Sequence, residues 1–290
     1  MTIRTTVTNQ RGETVLDGTA RAQVMRLAEP TKDTRASAPA PALGSLLAGK
    51  TALVTGASRG IGRAIAAILA DHGAHVVANY HKSEQAAATL LAEIEERGGR
   101  ATLSKADITD AAEAARLVDA LGGELDILVN NAGPRIASGS LATFEWSDMQ
   151  EAFAQIVGGV FNVTRAAVPA LRERGGRIVN VVSSAALGRT AHGWLPYVTA
   201  KAALLGMSKN LAQELGPAGV RVNMVSPSLV ATDLTADVPD RIRQMMVSRT
   251  PLRRLATPQD VAGAVLFLVS PYADFVTGEN LLVAGGDVML

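Results

Sequence analysis

From Gly49 onward the sequence repeats one pattern, in which a short apolar run is followed by a turn and then by a longer stretch with helical periodicity. Short apolar runs are typical of strands buried on both faces, and helical crossovers between such strands make them parallel. The pattern predicts about seven strands, at residues 51–55, 76–80, 101–106, 125–130, 177–182, 221–225 and 281–283. Helices are predicted at residues 61–71, 83–97, 111–121, 145–174 and 197–215. We therefore predict an α/β fold, a doubly wound parallel sheet with helices on both faces.

The composition is that of a globular protein and excludes several classes of function. Hydrophobic residues make up 48% of the chain, and the absence of cysteine removes disulfides, thiolate metal sites and cysteine nucleophiles. The 28 basic and 27 acidic residues give a net charge of +1, so no bulk attraction to nucleic acid or membrane is encoded. The 4 histidines lack metal-ligand spacing, and no metal site is predicted. The longest apolar run, Val261–Val269, is too short to span a bilayer, and the polar start lacks the pattern of a signal peptide. We expect a cytoplasmic protein.

The first 48 residues differ in composition and hydrophobic pattern from the rest of the chain. Val7 precedes a turn at residues 9–12 and Thr14 follows it, which predicts a strand–turn–strand arm over residues 1–27. Residues 28–48 are rich in alanine and proline without a sustained period, as is typical of a linker. Residues 49–290 are predicted to form the catalytic domain, and we expect residues 1–48 to carry no catalysis.

A glycine-rich turn joins the first strand to the first helix, and it reads Gly56-Ala57-Ser58-Arg59-Gly60-Ile61-Gly62. The unpaired N–H groups and partial positive charge of a helix N-terminus suit a pyrophosphate, and glycine lets the backbone approach without a Cβ in the way. Because strand, turn, helix and strand follow in this order, the turn predicts a dinucleotide site in a Rossmann-type sheet. The alternative is an ordinary strand–helix turn.

The end of the second strand indicates which dinucleotide is bound. NAD-binding proteins usually place an acidic residue there, against the ribose 2′-hydroxyl. This chain instead reads Asn79-Tyr80-His81-Lys82. Arg59 and Lys82 are suited to a 2′-phosphate, which predicts NADP(H) as the cofactor. The alternative is that both are solvated surface charges.

Tyr197 and Lys201 are candidates for proton transfer. They lie four residues apart at the start of a predicted helix, on one face and one turn apart. A nearby ammonium favours the phenolate, so we expect Lys201 to lower the pKa of Tyr197. Ser184 ends the fifth predicted strand thirteen residues before Tyr197, and its hydroxyl is predicted to polarise the same substrate oxygen.

Taken together, the motifs resemble the short-chain dehydrogenase/reductases, and within them most of all the β-ketoacyl carrier-protein reductase group. The resemblance covers about residues 47–290 and rests on the order and spacing of Gly56 to Gly62, Asp107, Asn130-Asn131-Ala132-Gly133, Ser184, Tyr197 with Lys201, and Pro227 to Thr232. It implies hydride transfer to a carbonyl carbon, with Tyr197 as general acid, Ser184 orienting the carbonyl and Lys201 holding the nicotinamide ribose.

The resemblance also implies cofactor contacts. Asp107 would bind the adenine amino group, and Val230 with Thr232 would contact the carboxamide. The motifs and the resemblance together predict as cofactor-binding residues Gly56, Ser58, Arg59, Gly60, Ile61, Gly62, Tyr80, Lys82, Asp107, Ile108, Asn131, Ala132, Gly133, Tyr197, Lys201, Val230 and Thr232. Without the resemblance, Asp107 is equally a candidate N-cap for the following helix.

One position departs from the family pattern. The family has an asparagine three residues before a Gly-apolar-Phe step, where it bends a helix around a water of the lysine's proton relay. Aligned on Gly159-Val160-Phe161, that position is Ile156, which cannot hydrogen-bond. We expect Gly158-Gly159 to supply the irregularity of the helix instead, with a relay that is weaker or re-routed through Gln155.

We predict an NADPH-dependent ketoreductase acting on a 3-oxoacyl thioester or related ketone, carried on acyl carrier protein or coenzyme A. The alternatives are a short-chain dehydrogenase of alcohols, sugars or steroids, and an NADP-binding scaffold or sensor in which Ile156 marks lost catalysis. Residues 5–25 resemble the closing hairpin of hotdog-fold acyl-thioester dehydratases, which also points to thioesters. The family resemblance implies a homotetramer or homodimer. Residues 232–251 are expected to cover the substrate, and Trp194 is a candidate for the mouth of the pocket.

Overall fold

A computed structural model describes residues 2–21, 46–188, 191–232, 238 and 240–289. The chain divides into two compact units, Met1–Pro41 and Ala42–Leu290. In the first unit, strands β1 (Thr2–Thr8) and β2 (Thr14–Arg21) pair in antiparallel fashion around a turn. Residues 28–45 of the predicted linker lie outside the described residues.

The described part of the second unit alternates strands with helices. The strands are β3 (Thr51–Val54), β4 (His75–Tyr80), β5 (Arg100–Lys105), β6 (Ile127–Asn130), β7 (Arg177–Val181), β8 (Arg221–Pro227) and β9 (Asn280–Val283). The helices are α1 (Gly60–Asp71), α2 (Glu84–Glu96), α3 (Ala111–Asp119), α4 (Trp146–Phe153), α5 (Gly159–Arg174), α6 (Leu195–Leu215), α7 (Asp240–Arg249) and α8 (Pro258–Val269). None of the helices in this described part is long and apolar enough to cross a membrane.

The strands of this unit form one parallel sheet of seven strands in the order β5-β4-β3-β6-β7-β8-β9. The predicted doubly wound parallel sheet is confirmed. The chain order reverses between β3 and β6, so the crossovers leave these two strands in opposite directions. A crevice therefore opens at the carboxyl ends of β3 and β6, where ligands bind in sheets of this kind.

Helices cover both faces of the sheet. Helices α1, α2 and α8 bury their apolar side chains in one cluster, together with side chains of β3 and β4. Helices α3, α5 and α6 do the same on the other face, together with side chains of β6 and β7. Fully buried aliphatic side chains such as Leu69 and Leu171 each stabilise the fold by about 1.5–3 kcal/mol.

The single long helix predicted over residues 145–174 is wrong in one respect. Its path is divided into α4 and α5 by a π-helical turn at Ala154–Gly158. Such turns insert one extra residue into the helix and occur frequently at functional sites. The turn ends at Gly158, the first residue of the glycine pair expected to make the helix irregular.

Candidate active site

The glycine-rich turn has the shape of a phosphate cradle. Gly56 and Gly60 have φ values of 63° and 56°, which glycine adopts without a Cβ penalty. A Cβ at Gly62 would overlap the Gly56 carbonyl oxygen, so only glycine fits there. Arg59 is the N-cap of α1 and makes no side-chain capping bond, which leaves the first N–H groups of the helix for an anion. The cradle residues therefore fit a pyrophosphate.

Thr55 joins the cradle to the end of β6. Its buried hydroxyl accepts hydrogen bonds from the Asn131 N–H at 3.0 Å and the Ala132 N–H at 3.1 Å. The Asn131 side-chain amide donates hydrogen bonds to the Thr55 carbonyl at 3.0 Å and to the Gly56 carbonyl at 3.2 Å. Gly133 follows these hydrogen-bonded residues and is exposed. A Cβ built on it would meet none of the described atoms within 4 Å. The predicted residues Asn131 and Ala132 thus meet the cradle through Thr55, and this contact was not predicted.

The ends of β4 and β5 place charged side chains around Asp107. Its carboxylate accepts hydrogen bonds from the Thr109 N–H and hydroxyl at 2.9 and 2.7 Å, and lies 3.6 Å from His81 Nδ1. Burial raises the pKa of Asp107, but the Thr109 hydrogen bonds and the charges of His81 and Lys82 outweigh it, so that the pKa lies below its usual value. The alternative of Asp107 as a helix cap is wrong, because Asp110 caps α3.

The other predicted cofactor residues lie around the same crevice. Tyr80 and Ser58 are each 8% exposed, and Ile108 is buried against Gly159. Val230 is buried and pairs with Ala256, and the methyl group of Thr232 lies 3.4 Å from where a Cβ of Gly60 would be. Thr232 therefore borders the cradle. Asp233 and Asp237 of the segment predicted to cover the substrate lie outside the described residues.

The Tyr197 and Lys201 side chains meet at the start of α6. The Lys201 ammonium is 5.8 Å from the centre of the Tyr197 ring and donates a 2.6 Å hydrogen bond to the Val181 carbonyl. Burial lowers the pKa of Lys201 to about 8. The ammonium thus remains largely charged at neutral pH, although it is removed from water.

One expectation about the tyrosine needs correction, and the serine beside it is a neighbour of the predicted one. The hydroxyl that hydrogen-bonds Tyr197 is that of Ser183, whereas the role predicted for Ser184 in polarising the substrate oxygen stays a prediction. Ser184 is buried at the start of a 3₁₀ turn, Ser184–Ala186. In addition, burial raises the pKa of Tyr197, and the Ser183 hydrogen bond only partly offsets this. The net shift of the Tyr197 pKa is therefore upward, opposite to the expected lowering.

The π-helical turn packs beside these side chains. Ile156, at its centre, is 1% exposed and lies in a buried apolar cluster with Ala200 and Leu204 of α6, against which Tyr197 also packs. The Gln155 side chain instead bonds Glu151 at 2.8 Å on the exposed side of the helix. The irregular helix is therefore present without an asparagine, and Gln155 is held away from the lysine.

A buried polar chain fixes α6 against the sheet. The Asn130 amide donates to Thr164 of α5 at 3.1 Å and to Asn180 of β7 at 2.8 Å. The Asn180 amide donates in turn to the Ser208 hydroxyl of α6 at 2.8 Å. Asn180 precedes Val181, the acceptor for Lys201, so two adjacent strand residues hold the helix that carries the tyrosine and lysine.

Comparison with known proteins agrees with this arrangement. A family model described as Enoyl-(Acyl carrier protein) reductase matches residues 56–287. A 3-oxoacyl-[acyl-carrier-protein] reductase of Staphylococcus aureus is 37% identical over 249 residues, covering 83% of this chain and 98% of the relative. The chain belongs to the short-chain dehydrogenase/reductase family. Membership of this family makes the protein an oxidoreductase. A second relative, the 7α-hydroxysteroid dehydrogenase of Escherichia coli, is also 37% identical, over 248 residues, covering 83% of this chain and 95% of the relative.

Solved structures of family members share the fold. A 7α-hydroxysteroid dehydrogenase complexed with NADH and 7-oxo glycochenodeoxycholic acid has a TM-score of 0.80 and 37% identity, covering 85% of this chain and 98% of that chain. A short-chain dehydrogenase from Burkholderia cenocepacia in complex with NADP has a TM-score of 0.77 and 38% identity, covering 84% of this chain and 99% of that chain. Family members of nearly equal similarity thus carry different cofactors.

Proposed function

We propose that this family member is an NADPH-dependent ketoreductase that acts on a 3-oxoacyl thioester or a related ketone. The observation that carries the proposal is the half-buried phenol of Tyr197, which is hydrogen-bonded by Ser183 and flanked by the Lys201 ammonium. A site built only to bind a nucleotide has no need of these groups. Intact proton-transfer residues therefore favour an enzyme over the scaffold or sensor alternative.

The cofactor would lie across the crevice. Gly56, Gly60 and the uncapped start of α1 would hold its pyrophosphate, Asp107 its adenine and Lys201 its nicotinamide ribose, while Val230 and Thr232 would meet the carboxamide. When bound, the nicotinamide supplies the hydride. The cradle fits this group because its glycines leave no side chain where the phosphates would approach.

The protein's own residues supply the proton and the orientation. Since burial raises the pKa of Tyr197, the phenol is protonated at neutral pH and holds the proton that the reduced carbonyl oxygen would take. The ketone oxygen would accept hydrogen bonds from Tyr197 and Ser183 in place of the bond that these hydroxyls now share. As negative charge develops on that oxygen, Tyr197 would transfer its proton to it, and the Lys201 ammonium would stabilise the phenolate left behind.

NADP(H) is favoured over NAD(H) by the charges at the end of β4. Lys82 follows the strand within electrostatic reach of Asp107, and Arg59 sits at the start of α1. To test this, Lys82→Gln should lower kcat/KM for NADPH about tenfold, because the contact of the lysine with the 2′-phosphate is lost. The kcat/KM for NADH should stay unchanged, because NADH has no 2′-phosphate. Lys105→Gln is the matched control, since Lys105 ends the neighbouring strand β5, is exposed and forms an ion pair with Glu84. Equal kcat/KM values of the native protein for NADPH and NADH would contradict the choice of cofactor.

The acyl-thioester substrate is tested against a second candidate. The relation to a hydroxysteroid dehydrogenase at the same 37% identity favours a steroid ketone as that second candidate. NADPH oxidation should be measured with an acetoacetyl thioester and with a 7-oxo bile acid. Tyr197→Phe should abolish turnover, whereas Tyr272→Phe, at an exposed position, should not. A higher kcat/KM with the bile acid would replace the thioester, and no turnover with any ketone would contradict a reductase.

The assignments that rest on sequence alone stay predictions. They comprise a non-catalytic arm and linker at residues 1–48, a homotetramer or homodimer, and a cytoplasmic location. The acyl group would be presented on acyl carrier protein or coenzyme A. Removal of residues 1–43 should leave ketone reduction intact, and its loss would contradict the assignment of the arm.

A further inference from the structure

Trp194 stands beside the tyrosine on the side opposite the lysine. It is the N-cap of α6, three residues before Tyr197, whereas Lys201 is four residues after it. Residues at these spacings share one face of a helix and are separated along its axis by about 1.5 Å per residue. Trp194 and Lys201 thus flank Tyr197 from opposite ends along α6, and under the proposed function the cofactor would lie on the lysine's side.

The two rings are in direct contact. Their centroids are 6.1 Å apart and their planes meet at 87°, an edge-to-face arrangement. Trp194 is only half-buried, so part of the indole remains open. An aromatic ring in this position both restrains the phenol and offers an apolar surface to anything that is bound at the phenol oxygen.

The backbone around Trp194 is held by a second loop. The Gly193 carbonyl accepts a 2.9 Å hydrogen bond from the Gly139 N–H, which belongs to the segment following β6. A Cβ on Gly193 would lie 3.1 Å from the Gly139 carbonyl oxygen, and Gly193 has a φ of 80°. The two segments therefore approach closely, and Trp194 is fixed at their junction.

We infer that Trp194 forms the substrate-side wall of the active site, where it positions Tyr197 and contacts the apolar carbon atoms next to the reacting carbonyl. This inference rests on the proposed function. The indole would favour ketones whose carbonyl is flanked by hydrocarbon. Trp194 would thus both position Tyr197 and contribute to substrate specificity.

Fluorescence tests the contact without turnover, because the chain has 2 tryptophans and the other, Trp146, is 72% exposed at the start of α4. In Trp146→Phe, Trp194 is the only emitter. Addition of NADP⁺ and then a ketone forms a complex that cannot react, since the oxidised cofactor holds no hydride. We expect a saturable change in emission on addition of acetoacetyl thioester. The same titration of Trp194→Phe, in which only Trp146 emits, should show none.

Kinetics separate this role from a merely structural one. Trp194→Ala should lower kcat/KM for the ketone about threefold to tenfold, mainly through KM, and Trp194→Phe should restore most of it, because an edge-to-face pair is kept. Trp146→Phe should match the native protein. Turnover by Trp146→Phe without any change in its emission would overturn the inference and leave the proposed function standing. Absence of turnover by the native protein with every ketone would contradict both.

Discussion

Ser208 provides the sharpest test of how the catalytic helix is held. Its hydroxyl is fully buried, accepts a hydrogen bond from the Asn180 amide at 2.8 Å and donates one to the Leu204 carbonyl at 2.7 Å. Ser208→Ala would leave the Asn180 N–H buried without an acceptor, which costs about 1–3 kcal/mol. Alanine has a higher helix propensity than serine, which offsets about 0.5 kcal/mol of this loss of stability. We therefore expect the free energy of unfolding to fall by about 1.5 kcal/mol.

The same substitution should reduce catalysis. Lys201 lies two turns before Ser208, and its acceptor Val181 follows Asn180 in β7, so the two hydrogen bonds hold one helix against one strand. Loosening this contact moves the phenol relative to the substrate, and we expect kcat to fall about tenfold. Urea unfolding and steady-state ketone reduction measure the two effects. Thr89→Ala is the control, since that exposed hydroxyl bonds a carbonyl of its own helix α2, outside the segment expected to cover the substrate. Equal stability and kcat of the two variants would refute the reasoning.

Three further predictions follow from buried groups. Because the pKa of Lys201 is lowered to about 8, its ammonium is lost as the pH rises through that value. Ketone reduction should therefore slow above pH 8, and a flat profile of kcat/KM up to pH 10 would contradict this. Asp126→Asn should destabilise the fold by about 2 kcal/mol in urea unfolding at pH 7, since the buried carboxylate binds Lys50 and Arg174 at 2.9 and 3.2 Å. Burial raises the pKa of Asp126, but hydrogen bonds from the Thr51 N–H, Arg174 and Lys50 outweigh it and lower the pKa, so the loss should shrink as the pH falls below the ordinary carboxyl pKa of about 4. Ile156→Asn should lower stability by about 2 kcal/mol without raising kcat, because the π-helical turn is already formed; a tenfold gain in kcat would show that the missing amide limits proton supply.

The fold was largely predictable because its determinants are local. Apolar runs bounded by turns identify the strands, and amphipathic stretches between them require parallel pairing. Helix α8 was not predicted as a helix, although Thr257, Pro258 and Asp260 form a capping box with proline in the first turn. That capping pattern is visible in the sequence, and it marks the start of the helix that packs beside α1.

The site was predictable only where one segment carries the chemistry. The cradle lies within seven consecutive residues, so its glycines could be identified directly. The role of Thr55 depends on Asn131, which is 76 residues away and reaches it only through the pairing of β3 with β6. Similarly, the direction of the pKa shift of Tyr197 depends on burial by residues of four different elements, and spacing along α6 carries no information on that.

Spacing along the chain and the hydrogen bond to Tyr197 point to two different, neighbouring serines. Ser184 was chosen by counting back from Tyr197, a count that passes through the irregular segment between the strand and α6. The Ser183 hydroxyl accepts the Ala185 N–H at 3.2 Å and bonds Tyr197, so its direction is fixed.

Substitution of the two neighbouring serines tests this assignment. Removal of a hydroxyl that stabilises developing oxyanion charge costs about a hundredfold in kcat. Ser183→Ala should show that loss in NADPH-dependent ketone reduction, with thermal unfolding close to that of the native protein. Ser184→Ala removes an equally buried hydroxyl from the adjacent residue and should retain most of the activity, which makes it the matched control. If Ser184→Ala is the inactive variant instead, the hydrogen bond between Ser183 and Tyr197 does not mark the carbonyl site, and the count from the tyrosine is the correct one.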